Sequence, residues 1–300
     1  MLLGGAKLNC KQQVMVYDNY EIINYADKKG KALTRIEEEL RCYIDRYAKN
    51  YYRAEGFLRH ISKRLNSSIG YNYILVAPMA SADASSVRTL NPISDLSNLF
   101  IDLSKIGSLL DEKAIVKFFV YYGLPIREGM WLSKKQNIDI PFLFLNEFDK
   151  ELTTYKEHFE LFLAYKNDDY IKMRNFRQSI INNRNNKDSI PLRTKEGIKH
   201  DIRRILTSKI KSRDIKYEPS LGPDDFSTEV IFGDLIDVAY FQIGQALISD
   251  VQLGICLECG DYFVRNHGNT KYCPPPPNGK RSTCQNRHQV NSYREKIKKY

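Results

Sequence analysis

Apolar positions recur at steps of three and four through most of this chain, the period of helices with one buried face. The clearest run is Ile36, Leu40, Tyr43, Tyr47, Tyr51, Ala54, Leu58, Ile61 and Leu65, opened by a Thr34/Glu37 capping-box pattern and interrupted by Gly56. Asp95 is placed to cap a second helix with Leu96, Leu99, Phe100, Leu103, Ile106 and Leu110 inward. Asp111 starts a third, which Gly123 and Pro125 stop. Residues 141–165 and 170–184 give two more, and Thr194 to Ser212 a basic one. Strand-like alternation is confined to short stretches. Val14–Tyr17 and Tyr20–Ile23 flank Asp18-Asn19 as two strands around a tight turn, and Tyr71–Val76 is a further strand. Glu218 to Asp225, with two prolines, is expected to be a linker, and Ser227 to open a helix through Leu253 that ends at Gly254. The pattern predicts a mainly α chain: a helical domain with a small strand element over residues 1–254, and a separate module over 255–300.

Composition narrows this little. Hydrophobic residues at 42% and charged residues at 27% exclude wholesale disorder, and 300 residues suit about two domains. The opening Met1–Ala6 has no basic stretch before its short apolar one, and no apolar run approaches the ~20 residues of a membrane span. A cytoplasmic protein without a membrane partner is the expectation. The net charge of +10 is uneven. Residues 1–170 are nearly neutral, residues 171–216 hold 14 basic and four acidic side chains, and residues 217–255 hold seven acids and no Lys or Arg. Residues 256–300 hold nine basic and three acidic side chains. The basic 171–216 segment either meets a polyanion, is a solvated face, or answers the acidic segment within the fold; internal pairing is the expectation.

The cysteines carry the chemistry. Cys10 and Cys42 lie early, while Cys256, Cys259, Cys273 and Cys284 follow the spacing Cys-x2-Cys-x13-Cys-x10-Cys. In Cys256-x-x-Cys259-Gly260 two sulfurs reach one ion while the glycine permits the tight turn. Tyr262 to Tyr272 suits a hairpin after that knuckle, with Cys273 following its second strand and Cys284 at the start of a helix capped by Ser282 or Thr283. Knuckle, hairpin and helix together predict a treble-clef-like module around one structural Zn²⁺ held by the four cysteines. A redox pair and an iron–sulfur cluster use the same residue type, but the first wants a βαβ context and the knuckle-hairpin order suits zinc. His267 and His288 are alternative ligands, whereas His60, His158 and His200 have no partner pattern. Four thiolates leave no open coordination position, so the metal is expected to be scaffold and the chain not an enzyme.

The scaffold presents the helix from Cys284 to Tyr300. Val290, Tyr293 and Ile297 are expected as its packed side, and Arg287, Asn291, Arg294 and Lys298 as a second stripe suited to DNA. Four prolines, Pro274–Pro277, stiffen an arm that ends near Lys280 and Arg281; it reads equally as two further cations for phosphate or as a tolerated surface insertion. Tyr272-Cys273, Cys284, Asn286-Arg287 and Tyr293-Arg294 resemble the CGNR zinc-finger family, with Gln285 in place of its glycine and a longer gap before Cys284. The resemblance covers about 45 residues and implies a bacterial transcription regulator that binds double-stranded DNA, usually with an N-terminal helical domain of sensory or unknown role; the body is then expected to sense a ligand or to make a homodimer. Two other readings stand beside it: a zinc-stabilised protein-interaction or RNA-binding module, and a nuclease of the His-Asn-His kind using Asn266-His267 and Asn286-Arg287-His288.

Overall fold

A computed structural model describes residues 2–3, 6–10, 12–24, 74–78, 88–107, 111–124, 143–183, 194–221, 226–249, 251–265, 268–275 and 282–298. The long helix expected over Thr34 to Leu65, Cys42, His267, Lys280 and Arg281 lie outside the described residues. Those residues form a mainly helical body with small sheets. Its helices are α1 (Leu99–Ser104), α2 (Glu112–Tyr122), α3 (Leu145–Lys166), α4 (Tyr170–Asn183), α5 (Lys195–Lys211) and α6 (Leu235–Ile248).

The core is built on α3. Leu145, Phe148, Leu152, Tyr155, Phe159 and Phe162 step by three and four along it, and none is more than 2% exposed. Phe100 of α1 meets Phe159 and Phe162 edge to face, each with ring centroids 6.2 Å apart. The Tyr155 hydroxyl donates to the Phe100 carbonyl at 2.6 Å, so the one polar atom of that stripe is satisfied. Helix α6 is apolar nearly all round and lies inside, against α1, α3 and α5. Gln242 on it donates to the Leu96 carbonyl at 2.7 Å and accepts from the Phe100 N–H at 3.0 Å, which fixes the entry to α1.

Several helix ends follow their sequence signals. Asp111 accepts from the Ala114 N–H at 3.1 Å, Thr194 accepts from the Gly197 N–H at 3.2 Å, and Gly123 closes α2 at φ 76°. A side chain at Gly123 would meet the Met15 carbonyl at 2.9 Å, so the glycine also admits a neighbouring strand. Asp95 differs from expectation: it accepts from the Asn91 N–H and the Ser94 hydroxyl in a preceding turn, and α1 begins only after Asn98.

The strands depart further. Those of the N-terminal stretch are β1 (Leu2–Leu3), β2 (Ala6–Asn9), β3 (Val14–Val16) and β4 (Tyr20–Asn24). β5 (Ile74–Pro78), β6 (Arg88–Leu90), β7 (Leu143–Phe144), β8 (Ile215–Leu221) and β9 (Phe226–Phe232) follow. β3 and β4 do not pair with each other. β3 joins β6 and β4 joins β5, because Tyr17 and Tyr20 are both buried and turn the chain from one small sheet to the next. The described part of the expected linker, 218–221, and the start of the expected helix at 227 are instead paired strands. β8 pairs antiparallel with β9, from Ile215↔Phe232 to Leu221↔Phe226. β2 runs parallel to β9 on its other side, in the order β1-β2-β9-β8, and the Gln12 amide clasps both the N–H and the carbonyl of Phe232. Pro219 is tolerated because β8 is an edge strand. The helix starts eight residues late, at Leu235, where Asp234 and Asp237 form a reciprocal capping box.

Arg213 links the basic and acidic segments: it lies 2.6 Å from Asp237 and 3.7 Å from Asp234, while also reaching Glu151 at 3.1 Å. Other cations of the basic segment pair elsewhere, Lys172 with Glu160, Arg177 with Asp201, and Lys195 and Lys199 with Asp168. Among the described residues no helix is long and apolar enough to cross a membrane.

Candidate metal centre and its helix

The last described elements are β10 (Leu253–Ile255), β11 (Tyr262–Val264) and α7 (Thr283–Lys298). β10 runs directly into Cys256. The chain then reverses through Gly260, whose N–H donates to the Cys256 carbonyl at 2.9 Å while the Cys256 N–H donates to Asp261 at 2.8 Å. Gly260 sits at φ 76°, a left-handed conformation that side chains disfavour. β11 returns antiparallel to β10, in the register Leu253↔Val264 to Ile255↔Tyr262. The hairpin therefore straddles the knuckle rather than following it, and residues 268–272 form no second strand. Gly254 makes this possible, because a side chain there would lie 2.5 Å from Arg265 Nε and 2.8 Å from Phe263 Cζ.

Two contacts bring the distant cysteines in. The Leu257 N–H donates to the Lys271 carbonyl at 3.0 Å, which lays the returning chain against the knuckle and leaves Cys273 Sγ 3.5 Å from Cys259 Sγ. Ser282, buried, accepts from the Gln285 N–H at 3.2 Å, so α7 starts there and Cys284 falls in its first turn. The sulfurs of Cys256, Cys259, Cys273 and Cys284 all lie within 4.8 Å of one another, and all four residues are free thiols. Four sulfurs at ~2.3 Å from one tetrahedral ion stand about 3.8 Å apart. The cluster fits a metal ion with little adjustment. His288 does not join it: its Nδ1 lies 3.5 Å from the Glu258 carboxylate and its ring 5.3 Å from that of Tyr272.

The thiols oppose one another's ionisation. Burial works against charge on Cys256, but the N–H groups of Cys259, Glu258 and Cys273 outweigh it and pull that thiol down to about 6. Cys273 is pushed well up by burial and by the sulfurs of Cys259 and Cys256, and Cys284 up to about 11 by the same causes. One thiolate is readily formed and four are not, unless a cation sits among them. Lys105, from the end of α1, approaches the cluster. Its ammonium is 2.9 Å from Asp102 and 3.8 Å from Asp261. Burial opposes that charge, but Asp102 first, then Asp261 and the Cys273 sulfur, hold it above the ordinary lysine range.

Helix α7 is anchored on the side that carries Cys284, His288 and Asn291. The Asn291 amide donates to Glu258 at 3.4 Å, so this member of the expected DNA-facing stripe also ties the helix to the knuckle. Arg287 and Arg294 are exposed, and Lys298 is the last residue of the helix. The expected packed side is not packed. Val290, Tyr293 and Ile297 are 48%, 67% and 57% exposed, because the anchoring contacts come from elsewhere on the helix. Glu258 and Lys105 are the residues that spacing missed, and neither carries a local signal. Ser282, one of the two caps expected for this helix, takes that place. No protein-family model matches the chain, and no curated protein or solved structure does either.

Proposed function

We propose that this chain is a DNA-binding transcription regulator whose C-terminal module is held by one structural zinc ion. The observation that carries the proposal is the convergence of four cysteine sulfurs within 4.8 Å at the first turn of a helix that projects Arg287 and Arg294 into solvent. Thiolate ligands in a tetrahedral arrangement favour zinc, and a closed four-sulfur site holds structure rather than activating water. Bound zinc would fasten knuckle to helix in a module too small to hold itself together by apolar burial. A treble-clef-like arrangement would set α7, about 24 Å long, against a major groove. Arg287, Arg294 and Lys298 would meet phosphates and base edges, with Lys280 and Arg281 on the preceding arm adding phosphate contacts. Asn291 would reach a base only by leaving Glu258.

Two measurements test this. Purified protein should carry one zinc per chain, and Cys259→Ser should lose it; zinc retained in full by that variant would sink the four-thiolate site. Duplex DNA binding followed by fluorescence anisotropy should weaken with salt, and Arg287→Ala with Arg294→Ala should reduce the slope of log K against log[salt] by about 2. A wild-type protein with no affinity for duplex DNA at low salt overturns the regulator. The exposed Val290, Tyr293 and Ile297 favour a second reading, a zinc-stabilised protein-interaction module, which that outcome would bring forward.

A further inference from the structure

A cleft of about 460 Å³ separates the helical body from the cysteine module. Its body side is formed by Ile101 of α1 and by Phe118, Tyr121 and Tyr122 of α2, and Tyr262 of the hairpin closes it from the module side. Tyr122, buried, backs the aromatic wall. Its ring lies 4.8 Å from that of Phe118 and 4.6 Å from that of Tyr121, the latter edge-on. Its hydroxyl is committed to Asp102. Cys273 and Cys284 reach the cleft but Cys256 and Cys259 do not, so the space borders the cysteine cluster rather than being its interior.

The volume falls in the range of small-molecule sites and suits two or three fused rings. Charge selects among them. Asp95 and Asp102 line the cleft with Lys105 and Lys117, and Asp261 stands 3.8 Å from Lys105. Lys105 is held between Asp102 and Asp261, so its ammonium is already answered. Lys117 is exposed and opposes the remaining carboxylate from the rim. The lining itself is balanced, two carboxylates against two ammonium groups, and Asp261 behind Lys105 adds one negative charge to the surroundings; aromatic faces add to that bias because they attract cations. Thiolates holding a divalent metal beside it would deepen the same sign. We infer that this cleft is a binding site for a planar organic cation, a fused aromatic ring carrying an ammonium or quaternary nitrogen. Such a ligand rests on Tyr121, the half-buried ring of α2, which Phe118 and Tyr122 back from the core, with its charge toward Asp95 and Asp102. It also touches Thr283 and Cys284 in the first turn of α7, so it joins the helical body to the C-terminal helix.

The test is calorimetric titration of the full-length protein, as purified with its metal and without DNA, using three probes of one shape. These are 1-naphthylmethylammonium, the neutral 1-naphthylmethanol and the anionic 1-naphthoate. The ammonium should bind at least about tenfold more tightly than either of the others. Tyr121→Ala should weaken it about tenfold, with the thermal transition followed as a folding control. Lys117→Glu, at an exposed position on the cleft, should strengthen ammonium binding and leave the neutral probe unchanged. Equal affinity for the neutral or anionic probe, no binding at millimolar concentration, or indifference to Lys117→Glu would each overturn the site. Because no nucleic acid enters the experiment, its outcome is independent of whether α7 binds DNA.

Discussion

Gly260 and Glu258 lie two residues apart in the knuckle and act on different partners. A methyl group at 260 meets nothing within 4 Å, so the whole cost of Gly260→Ala is the left-handed backbone at φ 76°. That is about 1–2 kcal/mol, and under the zinc reading it should appear as roughly tenfold weaker metal binding in a chelator competition. Unchanged affinity would mean that the knuckle re-forms with another backbone. Glu258 holds α7 through His288 and Asn291 instead. Glu258→Ala should therefore leave metal content intact while α7 amides exchange faster with solvent; equal protection would show that Cys284 alone fixes the helix. The first residue was legible in the sequence, because Cys-x-x-Cys-Gly states a local geometry. The second was not, because its partners lie some thirty residues away and no local pattern marks them.

Helices and strands differed in the same way. The stripe on α3 was readable since its period is a property of the segment itself, and the caps of α2 and α5 needed only adjacent residues. Phe148→Ala, at a position with no exposure, should cost about 3–5 kcal/mol in chemical denaturation. Ile171→Ala on α4, at 70% exposure, should fall within about 0.5 kcal/mol of the wild type. A reversal of that order would show that α3 does not build the core. β8 and β9 were hidden because their evidence is non-local. Pro219 is a linker signal unless the strand is known to lie at an edge, and Phe226–Phe232 reads as the first turns of a helix until β2 and β8 are seen on either side. For the module the ligand spacing was informative, but the face that α7 buries was not. Val290, Tyr293 and Ile297 have helical spacing, and nothing in spacing says whether a partner covers them.

Across the whole body, Arg213, just past the end of α5, gathers groups from two other helices. It reaches Glu151 on α3, Asp234 and Asp237 at the start of α6, and lies 5.2 Å from the ring of Tyr240, whose hydroxyl meets His158 Nδ1 at 2.7 Å. Burial, with the charges of Lys209 and Arg213, lowers His158 to about 4. Between about 6.5 and 4 the unfolded chain takes a proton there that the folded one refuses, so stability falls with acidification, by about 3 kcal/mol in full. Asp234 does the reverse. Burial and the charge of Asp237 raise it to about 6, so between 6 and about 4 the folded chain takes a proton that the unfolded one does not. That contribution grows with acidification by a similar amount, about 3 kcal/mol. The two offset one another below pH 6, and each single variant should expose the other. Relative to wild type, His158→Gln should gain stability progressively from pH 6.5 to 4, and Asp234→Asn should lose it from pH 6 to 4, both measured by urea denaturation. Parallel pH profiles for all three proteins would mean that neither group is as buried as its contacts with Tyr240 and Arg213 require.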